Sequence, residues 1–415
     1  MSQALLQALD DHFAGDVPDM IGVAVSGGSD SLSLLHLMYD FCQKSSVSLH
    51  CVTVDHRLRT AAATEAQFVA QVCADLNVPH TLLEWTGWDG TGNTQDAARR
   101  ARYQLMSEWA VSTGIDHIAL GHTQDDQAET VVMRLGRGAG VDGLSAMAPR
   151  RFANGVHWDR PLLGQSRQVL RSYLKARGQG WVDDPSNEDE RYDRIKARQA
   201  LDALADLGIA RGTLAQVASH MATARAALRH QTLDAAKAYV TMDRGALRFD
   251  LAGLQAVPVE ISRRLLVCAV QWISRSEYPP RSRSIDAVHR AIHHQGSATL
   301  EGCRFLVQHD HLWVFRELNA VVDEVTQIHE QWDQRWQIIG PHQEPGLHIG
   351  ALGEMGLPAC DGWRDLGLPR ALLLSTPAIW RGTEMIAAPL VISGSGWQAA
   401  LKTDASSYLE AIIAH

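Results

Sequence analysis

Residues 23–37 read VAVSGGSDSLSLLHL, an apolar run followed by a polar turn and a leucine-rich segment. The apolar run begins at Ile21 and predicts a buried β-strand over 21–26. The turn consists of serine, glycine and aspartate, and the leucine spacing after it predicts a helix over 31–42. Strand, polar turn and helix in this order predict the first unit of a parallel sheet with helical crossovers.

The alternation of strand and helix patterns continues along the first part of the chain. Further strands are predicted at 49–55, 80–85 and 117–122, and further helices at 61–76, 94–112, 126–135 and 165–177. This order predicts an α/β fold with a doubly wound parallel sheet, which binds ligands beyond the carboxyl ends of its strands. Three polar segments fall at those ends: 26–31, Asp55-His56 and 122–126. We therefore expect these segments to form one crevice.

Changes in composition divide the rest of the chain. From Arg194 the sequence becomes alanine-rich and strongly helical, and after Leu318 glycine and proline become frequent and strand patterns short. The sequence predicts three domains: a catalytic α/β domain at 1–195, a mainly helical domain at 196–317 and a small mixed α/β domain at 318–415.

Charge is unevenly distributed along the 415 residues. The formal net charge is −9, and 46% hydrophobic with 20% charged residues is typical of an ordinary globular protein. Residues 134–198 nevertheless carry a net charge of +5, whereas residues 321–415 carry −6. Local basic surface matters more than total charge for binding a polyanion, so the balance does not exclude nucleic acid.

Cysteine use and hydropathy favour a cytoplasmic protein without membrane association. The six cysteines include no CxxC pair, which argues against disulfides, zinc ribbons and cysteine-held clusters. The N-terminal segment predicts an amphipathic helix and lacks the basic start of a signal peptide. No apolar run reaches the roughly 18 residues of a spanning helix. The sequence leaves open whether the chain forms a homodimer.

The turn at 26–31 has the composition of an anion site. Gly27 and Gly28 allow close approach of the main chain to a phosphate, and the following helix adds N–H groups and its dipole. Asp30 would repel phosphate unless a divalent cation lies between them, which makes it a natural Mg²⁺ ligand. The lysine of the Walker pattern GxxxxGK[ST] is absent, so the turn favours pyrophosphate as a leaving group, as in adenylyl transfer.

A second set of acids lies in the segment 120–144. Asp125 and Asp126 open a predicted helix, and Glu129 shares their face. Three carboxylates in a crevice that binds ATP repel one another unless a cation joins them. Mg²⁺ and the ammonium group of an amine substrate are the two candidates, and the spacing does not decide between them.

The turn resembles the signature of the N-type ATP pyrophosphatases, or PP-loop enzymes. With four later motifs, the chain resembles the bacterial tRNA(Ile)-lysidine synthetases over roughly its first 200 residues. The motifs follow in the family's order: SGGSDS (26–31), VDHRLR (54–59), AARRARY (97–103), GHTQDDQAETVVMRLGRGAGVDGL (121–144) and DDPSNEDERY (183–192).

This resemblance implies an adenine nucleotide α-hydrolase-like fold and a ligase. Such enzymes use ATP to adenylate carbon two of the wobble cytidine in an isoleucine tRNA with a CAU anticodon. The amino group of L-lysine then displaces AMP and forms lysidine. The resemblance also implies that the helical domain contacts tRNA.

The resemblance implies the following roles. ATP is bound by Ser26, Gly27, Gly28, Ser29, Asp30, Ser31, Val54, Asp55 and His122. Asp30 and Asp126 hold Mg²⁺, Arg99 and Arg102 stabilise charge on the phosphates or the transition state, and Asp125 and Glu129 hold the lysine ammonium. The tRNA phosphates are bound by Arg134, Arg137, Arg194, Lys196 and Arg198.

The chain departs from the family pattern at three places. It has His122-Thr123 where the family often has two histidines, and Arg194-Ile195-Lys196 where many members have Arg-Asn-Arg. It also lacks the basic Lys-Lys-Leu-Phe segment of longer members.

Three other functions are compatible with a PP-loop. A tRNA thiolase would need a catalytic cysteine near the crevice, but Cys51 and Cys73 fall within predicted elements. A small-molecule amidating synthetase would not need the glycine-rich segment RGAGVDGL (137–144) or an arginine-rich helical domain. An ATP-sensing binding module would not need three acids at two loops.

Overall fold

The computed structural model describes residues 2–57, 62–87, 94–183, 193–276, 278–294, 296–341, 345–402 and 405–414. The chain forms two compact units, residues 1–225 and 226–415, which are described separately. The first unit contains α1 (Ser2–Phe13), β1 (Met20–Ala24), α2 (Ser29–Ser45), β2 (Ser48–Asp55), α3 (Ala62–Asp75), β3 (His80–Glu84), α4 (Thr94–Thr113), β4 (His117–Leu120), α5 (Gln124–Leu135), α6 (Val141–Leu144), β5 (Arg150–Ala153), β6 (Val156–Asp159), α7 (Arg167–Ala176) and α8 (Asp193–Asp206).

The first unit is built on a six-stranded sheet in the order β3-β2-β1-β4-β6-β5. Its strands are parallel except β5, which pairs antiparallel with β6. Strand β1 lies between β2 and β4, so successive connections leave it in opposite directions along the sheet. This reversal places the ends of β1 and β4 beside a crevice, as the sequence predicts.

Helix α2 occupies the centre of one face of this sheet. It is buried along most of its length, and Leu32, Leu34 and Leu35 are fully buried. These leucines pack with β1, α1 and α7 in one hydrophobic core, which includes Phe13 and Leu170. The turn before α2 is therefore fixed by a helix that cannot shift without opening the core.

Helix α9 (Arg211–Tyr239) contains the boundary between the units. The second unit continues with β7 (Val240–Asp243), β8 (Ala246–Asp250), α10 (Leu251–Ala256), α11 (Val259–Ser274), α12 (Ser282–His293), β9 (Ser297–Leu300), β10 (Cys303–Gln308), β11 (His311–Arg316), β12 (Thr326–Gln327), β13 (Trp336–Ile339), β14 (Leu347–Ala351), α13 (Gly353–Gly356), α14 (Arg370–Leu374), β15 (Pro377–Arg381), β16 (Glu384–Ala387), β17 (Gln398–Leu401) and α15 (Ala405–Ala414).

The second unit holds three small sheets. Their orders are β7-β8-β11-β10-β9, β12-β14-β15-β16 and β13-β17. Helices α11 and α12 pack on the first of these sheets and bury Leu265, Leu266 and Ile285. Helices predominate between residues 196 and 317, but the five-stranded sheet within this range was not predicted. Its short strands lie between longer helix patterns, so local periodicity did not reveal them.

The fold class is confirmed: a doubly wound α/β region is followed by helical and small mixed regions. The four predicted strands and six predicted helices of the first unit, including the N-terminal helix, are present, with ends shifted by a few residues. The antiparallel hairpin of β5 and β6 was missed. The division into three domains stays a prediction. Parts of two quoted motifs, residues 58–59 and 184–192, lie outside the described residues.

No helix in the described part of the chain is both long enough and apolar enough to cross a bilayer. All six cysteines are buried free thiols.

Candidate active site

The turn after β1 is a backbone cradle closed by hydroxyl groups. Gly27 has φ +88°, a conformation that strains other residues, and its carbonyl accepts a hydrogen bond from Val182 N at 2.9 Å. The Ser31 hydroxyl donates to Gly28 O at 3.0 Å and accepts from Ser26 N at 3.2 Å. Gly28 is the N-cap of α2 and offers no side-chain hydrogen bond, so the first N–H groups of the helix suit an anion.

The end of β4 lies directly against this turn. A Cβ added to Gly121 would stand 3.0 Å from both Cα and N of Ser31 and 3.1 Å from the carbonyl carbon of Asp30. Only glycine permits this approach without movement of the backbone. The first turn of α2 and the start of α5 therefore share one site, as the sequence analysis expects.

Arg167 joins the carboxylates of the two loops. It lies at the start of α7, and its Nε donates to Asp30 Oδ2 at 2.8 Å. Its Nη2 lies 3.6 Å from Asp126 Oδ1 and its Nη1 lies 3.8 Å from Glu129 Oε1. One guanidinium thus faces three acids. Burial raises the pKa of Asp30, although the charge of Arg167 opposes this shift.

Asp126 is held in its ionised form by the start of α5. Its Oδ2 accepts hydrogen bonds from the Thr123 N–H and hydroxyl, both at 2.8 Å, in a reciprocal capping box. Burial alone would raise its pKa, but the charges of Arg167 and Arg194 and the hydrogen bond from the Thr123 N–H lower it. Thr123 therefore serves as the N-cap of α5, which accounts for a hydroxyl where the family often has a second histidine.

Glu129 is the most deeply buried of the acids, with 1% of its side chain exposed. Its Oε1 accepts a hydrogen bond from Arg198 Nε at 2.6 Å, and Arg194 Nε lies 3.7 Å from its Oε2. Within the described part of the chain, Oε2 accepts no hydrogen bond. A buried carboxylate oxygen without a partner is costly, so Oε2 is suited to a donor from a ligand.

Asp125 makes a different set of contacts. Its Oδ2 accepts the backbone N–H of Arg167 at 2.8 Å, and its Oδ1 lies 3.5 Å from Arg211 Nε. Asp125 thus ties the start of α5 to the start of α7. Of the two acids predicted to hold an ammonium group, Glu129 has the buried oxygen that accepts no hydrogen bond from the described residues.

A second arginine cluster lies across the crevice. Arg99 and Arg102 of α4 approach Tyr103, with Arg99 Cζ 5.2 Å from its ring, and Arg160 follows β6. Burial lowers the pKa of Arg102 and of Arg160, and repulsion from Arg99 lowers both further. Mutual repulsion among guanidinium groups is relieved by a bound anion, so this cluster favours phosphate.

His122 is a neutral side chain beside this cluster. Burial lowers its pKa to about 3, and the charges of Arg160, Arg102 and Arg194 act in the same direction, while Asp126 opposes them. Its Nδ1 is buried without a hydrogen-bond partner among the described residues. His122 therefore offers an uncharged nitrogen at the end of β4.

The end of β2 lies two strands away from β4 in the same sheet. Asp55 is buried and accepts the Arg57 N–H at 2.7 Å, and Val54 is half-buried beside it. His56 follows with its ring 6.0 Å from Trp85. These residues stand on the opposite side of β1 from His122, as the strand order requires.

The five basic residues predicted to bind tRNA fall into two groups. Arg137 and Lys196 are exposed, and Arg137 pairs with Asp193 at 3.0 Å. Arg134 instead donates to Gly143 O at 2.7 Å, while Arg194 and Arg198 face the acids, as described above.

The comparisons identify the family. The PP-loop domain family matches residues 1–204. A tRNA(Ile)-lysidine synthase from Ruegeria pomeroyi is 45% identical over 414 residues, covering 100% of this chain and 99% of the relative. The chain belongs to the tRNA(Ile)-lysidine synthase family.

Other members of the lysidine synthase family match less of the chain. The protein of that name from Wolbachia pipientis wMel is 36% identical over 77% of this chain and 76% of its own length. The one from Mesorhizobium japonicum is 34% identical over 88% and 83%. The resemblance drawn from the motifs is thus confirmed, and the PP-loop match supports the predicted use of ATP.

Two residues of this lysidine synthase family member escaped the sequence analysis: Arg167 and Arg160. Arg167 carried a detectable signal, because a cation in the first turn of a helix faces the positive end of the dipole. Such a residue needs a carboxylate partner nearby, and three acids had already been singled out. Arg160 carried no comparable signal.

The two predicted Mg²⁺ ligands fit a divalent cation in part. Asp30 and Asp126 both face Arg167, so one guanidinium group borders the two carboxylates. No group of three or more metal-ligating side chains occurs within the described ranges. Mg²⁺ is commonly held by one or two carboxylates with substrate phosphates, which matches this pair.

Proposed function

We propose that the chain catalyses ATP-dependent ligation of L-lysine to the wobble cytidine of isoleucine tRNA with a CAU anticodon. The cytosine oxygen on carbon two attacks the α-phosphorus of ATP, and pyrophosphate leaves. The lysine amino group then attacks carbon two, and AMP leaves as lysidine forms. The observation that carries this proposal is the convergence of the PP-loop turn and the acids of α5 on one guanidinium, in a chain that matches the family throughout.

The turn at 26–31 binds the phosphates in this proposal, through the N–H groups of α2 and the serine hydroxyls. Val54 and Asp55 lie at the end of β2, where an adenosine bound across β1 would reach them. Asp30 and Asp126 would hold Mg²⁺, which neutralises phosphate charge when bound.

Arg99, Arg102 and Arg160 stabilise the charge that develops at the α-phosphorus. Their mutual repulsion is relieved when a phosphate anion binds among them. Donors arranged in advance act on the transition state without reorganisation cost. His122 stays neutral and can donate or accept a hydrogen bond without adding charge.

Glu129 holds the ammonium group of lysine, and this role is supported by its buried Oε2, which accepts no hydrogen bond from the described residues. Asp125 contributes indirectly, because it fixes the start of α7. The exposed Arg137 and Lys196 bind tRNA phosphates from outside the crevice. A cytoplasmic location follows from the substrate, and the six reduced cysteines are consistent with it.

AMP release from α-labelled ATP tests this function. The reaction contains Mg²⁺, lysine and a CAU-anticodon isoleucine tRNA transcript, each omitted in turn, and labelled lysine reports ligation. We expect AMP to form only with the tRNA, and the lysine label to become tRNA-bound. AMP formation without tRNA would favour an amidating synthetase, and absence of AMP under every condition would leave an ATP-binding module.

Asp126→Asn is the first variant to test. Asparagine retains an oxygen that can accept from Thr123, so α5 keeps its cap, but the negative charge at the reacting phosphates is lost. We expect AMP release to fall by about a hundredfold or more. Glu108→Gln removes the same charge from the exposed face of α4 and should leave the rate unchanged. Equal rates for the two variants would contradict the role of Asp126.

The thiolase alternative is disfavoured by the cysteines. A catalytic cysteine must reach the crevice as a thiolate, whereas all six thiols are buried. Burial raises the pKa of Cys51, and raises those of Cys42 and Cys303 to about 12, whereas the hydrogen bond with Cys51 lowers the pKa of Cys73, which is buried within α3.

A further inference from the structure

Helix α7 lies along the first turn of α2 and presents two arginines to it. Arg167 Nε donates to Asp30 Oδ2 at 2.8 Å, and Arg171 Nε donates to Ser29 Oγ at 3.4 Å. The two arginines are four residues apart, so they share one face of α7. Both guanidinium groups therefore border the turn in which a Walker loop would carry its lysine.

We propose that Arg167 and Arg171 bind the pyrophosphate half of ATP and supply the positive charge that the lysine-free turn lacks. Guanidinium groups present several N–H donors in a plane, which suits two neighbouring phosphates better than a single ammonium group does. The cation comes from a helix more than 130 residues away in sequence rather than from the loop itself.

Arg167 has donors left for a phosphate. Its Nε hydrogen-bonds Asp30, but the contacts of Nη1 with Glu129 and of Nη2 with Asp126, at 3.8 and 3.6 Å, exceed hydrogen-bonding distance. Its side chain is 23% exposed, so ligands can reach it from the crevice. Binding pyrophosphate therefore does not require Arg167 to leave Asp30.

Arg171 is more accessible and its ion pair is weak. Its side chain is 44% exposed, and its partner Asp183, 3.1 Å away, is 73% exposed. Exposed ion pairs contribute little, so an incoming phosphate can replace Asp183 at low cost. The ring of Trp181 lies 5.7 Å from Arg171 Cζ, and the bond from Val182 N to Gly27 O holds this segment against the turn.

Binding of pyrophosphate and of AMP, each measured by calorimetry with Mg²⁺ present, tests the assignment. Two variants change the proposed ligands, Arg167→Gln and Arg171→Gln. Two matched controls remove the same charge elsewhere. Lys175→Gln alters an exposed residue of α7, and Arg198→Gln removes a cation that faces Glu129 from α8.

We expect each α7 arginine variant to weaken pyrophosphate binding about tenfold and to leave AMP binding within about twofold. Lys175→Gln should bind pyrophosphate as the unaltered protein does. Arg198→Gln removes positive charge near the acids without removing a proposed phosphate ligand. We expect Arg167→Gln to weaken pyrophosphate binding more than Arg198→Gln does. Arg171→Gln changes an exposed side chain, so this arm does not depend on the stability of the buried site.

The α7 assignment is overturned if either arginine variant binds pyrophosphate as tightly as Lys175→Gln. It is equally overturned if an arginine variant weakens the binding of AMP and of pyrophosphate by the same factor. The same holds if Arg198→Gln weakens pyrophosphate binding as much as Arg167→Gln does. The assignment rests on the proposal that the turn holds pyrophosphate. If the unaltered protein binds no pyrophosphate, both proposals fail. If the unaltered protein binds pyrophosphate and the arginine variants bind it equally well, only the assignment of the arginines fails.

Discussion

His122 illustrates how one residue couples the site to pH. Its folded-state pKa is lowered to about 3, whereas a histidine in an unfolded chain titrates near 6.5. Between pH 6.5 and pH 3 this histidine is therefore protonated in the unfolded state and neutral in the folded state. Its contribution to the free energy of unfolding is fully present above pH 6.5 and is lost progressively as the pH falls toward 3.

We predict that His122→Asn flattens this dependence. Between pH 8 and pH 5 the unaltered protein should lose about 2 kcal/mol of unfolding free energy that the variant retains. Denaturant unfolding at the two pH values measures the difference. His294→Asn changes an exposed histidine and should leave the slope unchanged. Parallel slopes for His122→Asn and the unaltered protein would contradict the buried, neutral state of His122.

For individual residues, the sequence predicted which charged side chains belong to the site but not which of them form ion pairs with one another. The acids of the two loops were found because they follow strand patterns in a known order. Arg167 was not, since its contact with Asp30 spans 137 positions, and its place in the first turn of a helix indicates only that it needs an acid, not which acid. The resemblance assigned Arg198 to tRNA, and nothing in the sequence indicated that Arg198 hydrogen-bonds buried Glu129, 69 positions away.

Among the elements, the contact of β4 with α2 depends on the absence of a side chain at Gly121. We predict that Gly121→Ala destabilises the protein by about 1–3 kcal/mol, because its Cβ must displace the backbone of Ser31. The affinity for ATP should fall as well, since the same backbone forms the phosphate turn. Denaturant unfolding and ATP titration measure the two effects.

Gly164→Ala is the matched control for this change. Gly164 lies between β6 and α7, and an added Cβ meets no described atom within 4 Å. Its stability and ATP affinity should stay close to those of the unaltered protein. If Gly121→Ala behaves like Gly164→Ala, close packing of β4 on α2 is not what shapes the turn.

Asp159 joins four elements of the first unit. Its carboxylate, fully buried at the end of β6, accepts from His12 Nε2 at 2.7 Å, His117 Nδ1 at 2.8 Å and Arg150 Nε at 2.6 Å. Burial opposes its ionisation, but these donors hold the pKa of Asp159 well below its usual range. The network thus ties α1 and β4 to the β5–β6 hairpin.

We predict that Asp159→Asn costs about 3 kcal/mol of unfolding free energy, since it leaves buried donors around a neutral group. Asp16→Asn removes the other, exposed partner of Arg150 and should cost less than about 1 kcal/mol. Denaturant unfolding at pH 7 compares the two. Similar losses for both variants would show that burial does not set the strength of this network.

Element boundaries in the first unit were predictable because each element has a clear apolar period and a turn before it. The β5–β6 hairpin was not, since its strands have four residues each and its edge strand is largely exposed. The sheet of β7–β11 depends on pairing between segments separated by three helices. Such pairing is decided by tertiary packing, which local propensity does not encode.

Along the whole chain, basic residues are concentrated in one stretch, so a protein with a net negative charge still has a local surface that can bind a polyanion. The exposed basic residues Arg137 and Lys196 lie in the stretch of net charge +5, and the final stretch carries −6. We predict that Arg137→Gln and Lys196→Gln each weaken tRNA binding and reduce the salt dependence of log K by about one. Titration of labelled tRNA at several salt concentrations measures both.

Arg370→Gln is the control for tRNA binding. Arg370 is exposed in the second unit and pairs with exposed Glu354, so its loss changes net charge without touching the basic stretch. We expect its salt dependence to match that of the unaltered protein. An equal loss for all three variants would mean that tRNA responds to total charge rather than to a local surface.

The guanidinium that joins the acids also sets an order of events during synthesis on the ribosome. Asp30, Asp126 and Glu129 leave the exit tunnel before Arg167, Arg194 and Arg198, because every cation of this cluster lies further along the chain. A nascent chain that ends before Arg167 carries three uncompensated carboxylates in its crevice, and their repulsion opposes closure. The site therefore becomes competent only after α7 and α8 have been made, and truncated chains released early should not consume ATP.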